Sequence, residues 1–364
     1  MAKAACLDAA LAIARLDGAL SLAPQRAQSI FASALLRRII TAALHQEGHA
    51  FAESRFNAWF AGLTTLTDEP AHTARPPKVV CEAILTELTH STWGPLATAA
   101  TQLRDALLAP HDHSDDDAHQ DVHFVIKEAR QLVRENTAHR SPFTALASLR
   151  AAMLEHPAFT PSETASPLSL SGEARLLVSP LWAVDIFAGE CLSAAGWLRP
   201  SLLLTGLIRR EMLCPSDPAS ADTMQANALE EAASHLNRQL LEAVHAEETI
   251  RRRLVDRRST SRAPALLATL AGFGAMRSSQ IERVLRLTRL GARTILRSLE
   301  SDGLVERRTL AGAHLYSPTL QPSTFRDYVS PPLPSLTSAA LDAFDVSLAE
   351  IDRLLGRSSV EEDD

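Results

Sequence analysis

The sequence predicts a mainly α-helical protein with a small module of helices and a β-hairpin near its C-terminal end. Apolar residues return every three or four positions along most of the chain, which is the period of amphipathic helices. Alanine and leucine recur throughout while aromatic residues make up only 5%, and this composition favours helix packing over sheets. At about 150 residues per domain, 364 residues allow two or three domains.

The chain contains four cysteines, and they are scattered without a CxxC pair: Cys6, Cys81, Cys191 and Cys214. This spacing is typical of free thiols in a reducing compartment, and it provides neither a zinc knuckle nor a disulfide framework. The first 20 residues include Asp8 and Asp17 and lack the apolar core of a signal peptide. The most apolar stretch, 176–192, is broken by a proline and two acidic residues, short of the roughly 18 apolar residues of a membrane span. We therefore expect a cytoplasmic protein with no membrane partner.

The first two thirds of the chain predict two helical parts joined by a polar segment. Residues 1–110 form an N-terminal helical region, interrupted by the proline-bearing stretch 68–78. Residues 111–123 are dense in Asp and His, and we interpret them as a solvated acidic loop. Residues 124–257 form a helical domain, with a Pro/Ser/Thr-rich linker at 156–172.

That helical domain is expected to end in a long connecting helix from about 224 to 256, because an apolar stripe runs through it at helical spacing. The stripe consists of Leu229, Leu236, Leu240, Val244, Ile250 and Leu254. Ser259, Thr260, Ser261 and Pro264 follow it and are typical loop and cap residues. They predict a domain boundary near 258–263.

Residues 263–320 carry the pattern of three helices and a hairpin. A first helix stops at Gly272 and Gly274, a second opens at Ser278 or Ser279, and a third follows a short turn at Leu287 and Thr288. Gly303 can take the left-handed conformation that ends the third helix. Two short runs on either side of Ala311-Gly312 predict a β-hairpin. Three helices and a hairpin in about 55 residues predict a winged helix-turn-helix.

The register of the third helix predicts which of its side chains face outward. Thr288 is a suitable N-cap, and the buried stripe is Ala292, Ile295, Leu296 and Leu299. Leu290, Arg293, Thr294 and Arg297 then point away from the core. A helix in the major groove needs such a row, because arginine donates two hydrogen bonds to guanine and neutralises phosphates.

Charge is concentrated in the same module. Residues 258–311 contain ten arginines and four acidic residues, a net of +6, so the formal net charge of −7 leaves −13 for the rest of the chain. Such asymmetry is typical of a nucleic-acid-binding module attached to a part that does not bind nucleic acid. The candidate DNA-binding residues are Arg277, Ser279, Arg289, Leu290, Arg293, Thr294, Arg297, Arg307 and Arg308.

Different roles are expected within this set. Arg293 and Arg297 are assigned to bases or adjacent phosphates, and Arg289 with the hairpin residues Arg307 and Arg308 to the DNA backbone. The competing interpretations are that the arginines only solubilise a helix surface, or that the module binds protein.

Other constellations predict no catalytic residue, metal or cofactor. HQEGH at 45–49 resembles a zinc-protease helix, but Gln46 occupies the place of the catalytic glutamate in HExxH. The histidines and aspartates of 111–123 could supply ligands that bind a divalent cation weakly, but the favoured interpretation is a solvated loop without a specific metal site. GFGAMR at 272–277 lacks the third glycine of a dinucleotide fingerprint and follows a helix.

Several stretches together resemble a known family. They are ARLDGAL (14–20), FAESRFNAWFAGL (51–63), the apolar block 176–210, LVDRRSTSRAPALLATL (254–270) and SSQIERVLRLTRLGARTILRSLESDGLV (278–305). The chain from about Ala14 to Pro318 resembles a largely uncharacterised family of helix-turn-helix proteins on rhizobial plasmids and related mobile elements. The resemblance implies a regulator-like protein with a helical N-terminal domain, and it carries over no catalytic residues. Family members often have a less basic third helix.

The favoured function is a sequence-specific transcriptional regulator that binds double-stranded DNA as a homodimer, since palindromic operators need two reading heads. The dimer contact is expected either on the 224–256 helix or on a C-terminal helix, 335–357, which precedes an acidic tail. That second helix carries Leu341, Phe344, Leu348, Ile351 and Leu355 at coiled-coil spacing. Residues 1–257 are expected to serve oligomerisation or sensing, with an effector or protein partner. The alternatives are a DNA-binding accessory protein of a mobile element, in replication, partition or excision, and an enzyme whose site lies among the N-terminal helices.

Overall fold

A computed structural model of the chain shows which expectations hold. It describes residues 2–67, 75–110, 116–139, 141–159, 179–213, 218–255 and 261–319. The expected C-terminal helix at 335–357, the acidic tail and most of the 156–172 linker lie outside the described residues. So do residues 256–260 next to the expected domain boundary.

Helices dominate the described residues, as predicted. In the first half they are α1 (Ala2–Leu22), α2 (Gln25–Gln46), α3 (Glu53–Phe60), α4 (Pro77–Leu88), α5 (Gly94–Ala106), α6 (Asp116–Glu135) and α7 (Pro142–Glu155). They continue as α8 (Leu181–Phe187), α9 (Gly189–Ala194), α10 (Arg210–Leu213), α11 (Pro218–Arg253), α12 (Ala263–Phe273), α13 (Ser278–Leu285) and α14 (Arg289–Ser301). The strands β1 (Met276–Arg277), β2 (Val305–Leu310) and β3 (Ala313–Pro318) form an antiparallel sheet in the order β1-β3-β2.

Helix α2 is the centre of the core. It packs against α4, α5, α8, α11 and α12, and Phe31, Leu35, Leu36, Ile39 and Ile40 are fully buried. Its length and a mean hydropathy of 1.2 would allow it to cross a bilayer, but 61% of its most apolar window is buried inside the protein. Its apolar side chains therefore serve the core, as those of a buried helix do.

Helix α11 begins at Pro218, about six residues before the predicted start, and packs along α1 and α2. The stripe residues Leu229, Leu236, Leu240, Ile250 and Leu254 are buried. Arg26 of α2 forms an ion pair with Glu247 of α11, with Nη1 and Oε1 3.0 Å apart. Because the stripe packs within the same chain, a second copy of the protein would have to contact other faces of α11.

The acidic segment 111–123 differs from its prediction as a loop. Helix α6 begins at Asp116, so that the second half of the segment is helical, while 111–115 lie outside the described residues. Val122 is fully buried and Val125 nearly so, so the buried stripe of α6 extends into the segment and keeps it helical.

The module at 263–319 shares the core of the preceding helices. Helix α12 packs on α2, and α13 packs on α5. Phe273 at the end of α12 is fully buried, with its ring centroid 4.6 Å from that of Phe60. The described residues up to Thr319 consequently belong to one compact unit.

Gly272 lies where α12 packs tightly against α2. A Cβ atom at Gly272 would lie 2.4 Å from the carbonyl oxygen of Ile30 and 2.7 Å from the Cβ of Ser33. We expect Gly272→Ala to lower the free energy of unfolding by about 1–3 kcal/mol, because the clash forces backbone to move. The matched control is Gly18→Ala in α1, where no atom lies within 4 Å, and that change should raise stability by about 0.5–1 kcal/mol. Urea unfolding of both variants measures the difference; equal effects would contradict the packing of α12 on α2.

Candidate nucleic-acid interface

A three-residue turn connects α13 and α14. Arg286 ends α13 in the left-handed conformation, at φ 51° and ψ 49°, and the Leu287 amide donates to the Glu282 carbonyl over 2.9 Å. The Thr288 hydroxyl accepts a hydrogen bond from the Gly291 amide at 3.2 Å, so the predicted N-cap of α14 is confirmed. Cap and turn together fix where α14 starts and how it is rotated.

Helix α14 has one buried face and one exposed face. Ala292, Leu296 and Leu299 are buried and Ile295 is half-buried, which confirms the predicted stripe. The exposed face carries Arg289, Leu290, Arg293, Thr294 and Arg297. Leu290 is 76% exposed, an unusual position for a large apolar side chain on a helix that has a core to pack against.

The three arginines of this face form no ion pair with the described part of the chain. Among the residues that the structure describes, no carboxylate lies within ion-pair distance of Arg289, Arg293 or Arg297. The nearby Glu300 and Glu306 are paired elsewhere, with Arg307 and Arg308. We call Arg289, Arg293 and Arg297 the arginine row; they lie four residues apart and so share one side of the helix.

The predicted hairpin is present as β2 and β3. Thr309 pairs with His314, and Leu310 with Ala313. The two turn residues, Ala311 and Gly312, have φ of 48° and 74°, as a two-residue turn between twisted strands requires. The turn predicted at Ala311-Gly312 is therefore confirmed.

The hairpin arginines are exposed and paired. The Nε of Arg307 lies 3.2 Å from Glu300 Oε1, and the Nε of Arg308 lies 2.9 Å from Glu306 Oε1. Surface ion pairs of this kind contribute about 0–1 kcal/mol. Both side chains can therefore exchange a carboxylate for a phosphate at low cost.

Arg277 and Ser279 differ from the other candidate residues, because both are half-buried. The Ser279 hydroxyl is buried and has no hydrogen-bond partner among the described residues. They stand where β1 leads into α13, and α13 packs on α5. A DNA contact from Ser279 would require its hydroxyl to become accessible.

Gln280 positions α13, and sequence reasoning did not single it out. Its side chain is fully buried. The amide nitrogen donates to the carbonyl oxygens of Ala106 at 2.9 Å and Phe60 at 3.1 Å, while its oxygen accepts from the Arg277 amide at 2.8 Å. A glutamine three residues after a helix start is a capping signal, but its two distant partners leave no trace in the local sequence.

The HQEGH segment serves the packing of the N-terminal helices. Glu47 is 2% exposed; it forms an ion pair with Arg75 and accepts a hydrogen bond from Trp182 Nε1 at 2.7 Å. His45 and His49 bond backbone carbonyls, those of His49 and Arg75 respectively. In the part of the chain that the structure describes, no group of three or more His, Cys, Asp or Glu side chains is placed to hold a metal ion.

Comparison with known proteins adds no family or relative. No protein-family model matches the chain, and no curated protein is significantly similar to it. A functional assignment therefore depends on the exposed arginine row, the hairpin beside it and the packing that holds both in place.

Proposed function

We propose that the protein is a sequence-specific DNA-binding transcriptional regulator whose α12–α14 and β1–β3 act as a winged helix-turn-helix. The arginine row on the exposed face of α14 is the observation that carries the proposal. Arginine donates two hydrogen bonds to the O6 and N7 acceptors of guanine and also neutralises phosphates. A row that has no acidic partner among the described residues is suited to both tasks.

The order of elements supports this assignment. Helices α13 and α14 are joined by a short turn, α13 packs on the body of the protein, and α14 turns one face to solvent. In a helix-turn-helix the second helix enters the major groove while the first crosses the backbone. Helix α14 is therefore the reading helix, and the β2–β3 hairpin lies next to it in the position of a wing.

The dimensions of the row fit a major groove. At 1.5 Å per residue, Arg289 and Arg297 are about 12 Å apart along the helix axis, and the groove is about 12 Å wide. Arg293 and Arg297 read bases or adjacent phosphates, Arg289 contacts the backbone, and Leu290 and Thr294 meet thymine methyl groups. Arg307 and Arg308 hold the backbone beside the groove.

The same proposal includes a homodimer on a palindromic site, with residues 1–257 providing oligomerisation or sensing. The acidic balance of the chain outside 258–311, −13, supports this division, because like charge repels phosphates over a Debye length of about 8–10 Å. Arg251, Arg252 and Arg253 at the end of α11 are exposed and extend the basic surface next to the module.

Salt dependence tests the proposal with the full-length protein. The measurement is fluorescence anisotropy with a pool of random DNA duplexes across a salt series. Arg308→Ala should weaken binding to all sequences alike and reduce the slope of log K against log salt by about one unit, because one phosphate contact is lost.

The matched control is Arg199→Ala, which removes an exposed arginine that pairs with Asp17 far from the module in sequence. It should leave both the affinity and the slope unchanged. Binding that does not depend on salt, or equal losses from the two variants, would contradict the proposed interface.

A further inference from the structure

A cavity of about 530 Å³ opens between α2, α11 and the loop at 204–208. This volume lies in the range of small-molecule sites, about 300–1,000 Å³. Part of its lining is apolar, including Leu181, Ile208 and Ala232, and the polar part is dominated by arginine and histidine. A mostly apolar wall with a few charged groups is the usual composition of a site for a small organic ligand.

The cavity is positively charged. Arg38, Arg209 and Arg238 line it together with one acid, Glu231, and Glu231 forms an ion pair with Arg209. Within the described residues, Arg38 and Arg238 have no carboxylate within ion-pair distance. Two guanidinium groups, one from α2 and one from α11, thus line the same cavity without a direct ion pair among the described residues, and the charges of Asp185 and Glu231 act on Arg38 from farther away.

Two neighbouring ionisable groups have shifted pKa values, and burial is the largest cause for both. Burial, followed by the charges of Arg38 and Arg238, lowers the pKa of His235 to about 4, so the imidazole is neutral at physiological pH. Burial raises the pKa of Asp185, near Arg38, to about 7. Asp185, behind the cavity wall, is therefore only partly ionised near neutral pH.

The loop at 204–208 is held in place and presents an unsatisfied hydroxyl. The buried Asp185 carboxylate accepts hydrogen bonds from the Gly206 amide at 2.6 Å and from the Ile208 amide at 3.1 Å. Thr205, the residue before Gly206, lines the cavity and is 9% exposed. Its Oγ1 is buried and finds no partner among the described residues. A buried hydroxyl without a partner costs free energy unless a ligand accepts its hydrogen bond.

We propose that this cavity binds a small organic anion through a phosphate or carboxylate group held by Arg38, Arg238 and the Thr205 hydroxyl. The apolar wall contacts the remainder of the ligand. Arg38 follows Arg37 in α2. The Arg37 side chain donates hydrogen bonds to Asn57 and to the Phe273 carbonyl at the end of α12. The cavity is therefore adjacent along α2 to a contact with the proposed DNA-binding module. The binding site itself does not depend on the proposed function.

Thermal unfolding of the full-length protein tests the site with two probes, inorganic phosphate and succinate, each titrated against sodium chloride at equal ionic strength. We expect a saturating rise in Tm above the chloride series, since a ligand that binds only the folded state stabilises it. A larger rise with phosphate identifies a phosphorylated ligand, and a larger rise with succinate identifies a carboxylate. No rise with either probe overturns the proposal.

Three variants test whether the rise in Tm comes from probe binding in the cavity. Arg38→Gln and Arg238→Gln should each weaken probe binding about tenfold, as loss of a charge-assisted hydrogen bond does. Thr205→Val should also weaken it, while the Tm without probe stays equal or rises, because an unpaired hydroxyl is replaced by a methyl group. The control is Arg293→Gln in the arginine row, which should retain the full rise. If Arg238→Gln and Thr205→Val bind the probes as well as the wild type, or if Arg293→Gln loses the rise, anions bind elsewhere and the proposal is wrong.

Discussion

Replacing Arg297 with alanine is expected to weaken binding to the preferred DNA site by about 1–3 kcal/mol, or roughly 5- to 150-fold. Arg297 is exposed on α14, and no carboxylate of the described residues neutralises it. The substitution removes both hydrogen bonds to guanine and so weakens DNA binding. Because Arg297 is exposed, the same substitution should change the stability of the fold by no more than about 0.5 kcal/mol. Titrating full-length protein with a duplex selected from a random pool measures the loss.

Two further variants separate base reading from charge. Arg297→Lys keeps the charge but cannot form the planar pair of hydrogen bonds, so it should retain binding to random DNA and lose preference for the selected site. Arg293→Ala tests the second reader in the same way, and discrimination should relax at a different base position. If neither Arg293→Ala nor Arg297→Ala changes affinity for the selected duplex, α14 is not the reading helix.

Replacing Gln280 with methionine should lower the free energy of unfolding by about 2–5 kcal/mol. The change preserves size but removes every hydrogen bond of a fully buried side chain. The Ala106 carbonyl and the Arg277 amide are then left without these partners, and each unsatisfied group costs about 1–3 kcal/mol. The Phe60 carbonyl keeps the Leu108 amide as a donor, at 3.1 Å, and contributes less.

Urea unfolding measures this loss, with Gln131→Met as the control. Gln131 lies on α6 and its amide donates to the Glu135 side chain at an exposed position, so the same substitution there should change stability by less than about 0.5 kcal/mol. A Gln280→Met protein as stable as the control would show that this side chain does not hold α13 against α3 and α5.

Sequence patterns predicted the local geometry of the candidate interface well. The buried stripe of α14, the Thr288 cap and the hairpin turn at Ala311-Gly312 each depend on residues within a few positions of one another. Periodicity, capping and turn chemistry are local effects. The exposure of the arginine row follows directly from the buried stripe on the opposite face.

Contacts between distant parts of the chain were not predictable in this way. The two-residue strand β1, the partners of Gln280 and the packing of Gly272 on Ile30 depend on which helices meet. The cavity is a further example, since Arg38, Thr205 and Arg238 come from three separate stretches. The sequence predicts a loop at Asp116 because its neighbours are polar. The structure shows a helix there, because the buried Val122 belongs to the packed face of α6.

The packing of α12 and α13 on the N-terminal helices decides whether a fragment or the full-length protein should be used to test DNA binding. The sequence predicts that a fragment beginning near Ala263 retains weak DNA binding. In the structure, α12 and α13 are buried against the N-terminal helices through Gly272, Phe273 and Gln280. A fragment that lacks those helices would expose apolar surface, and the Gln280 side chain would lose its hydrogen bonds to the Phe60 and Ala106 carbonyls. Full-length variants are therefore the appropriate test of the interface.

Genome-wide mapping of the DNA bound by the full-length protein in cells, compared with an Arg293→Ala/Arg297→Ala variant, tests the central claim most directly. We expect discrete sites that share a palindromic motif, with the wild-type peaks lost in the variant while protein level and Tm remain unchanged. Bound DNA without a shared motif, or identical peaks for the two proteins, would contradict sequence-specific recognition by α14.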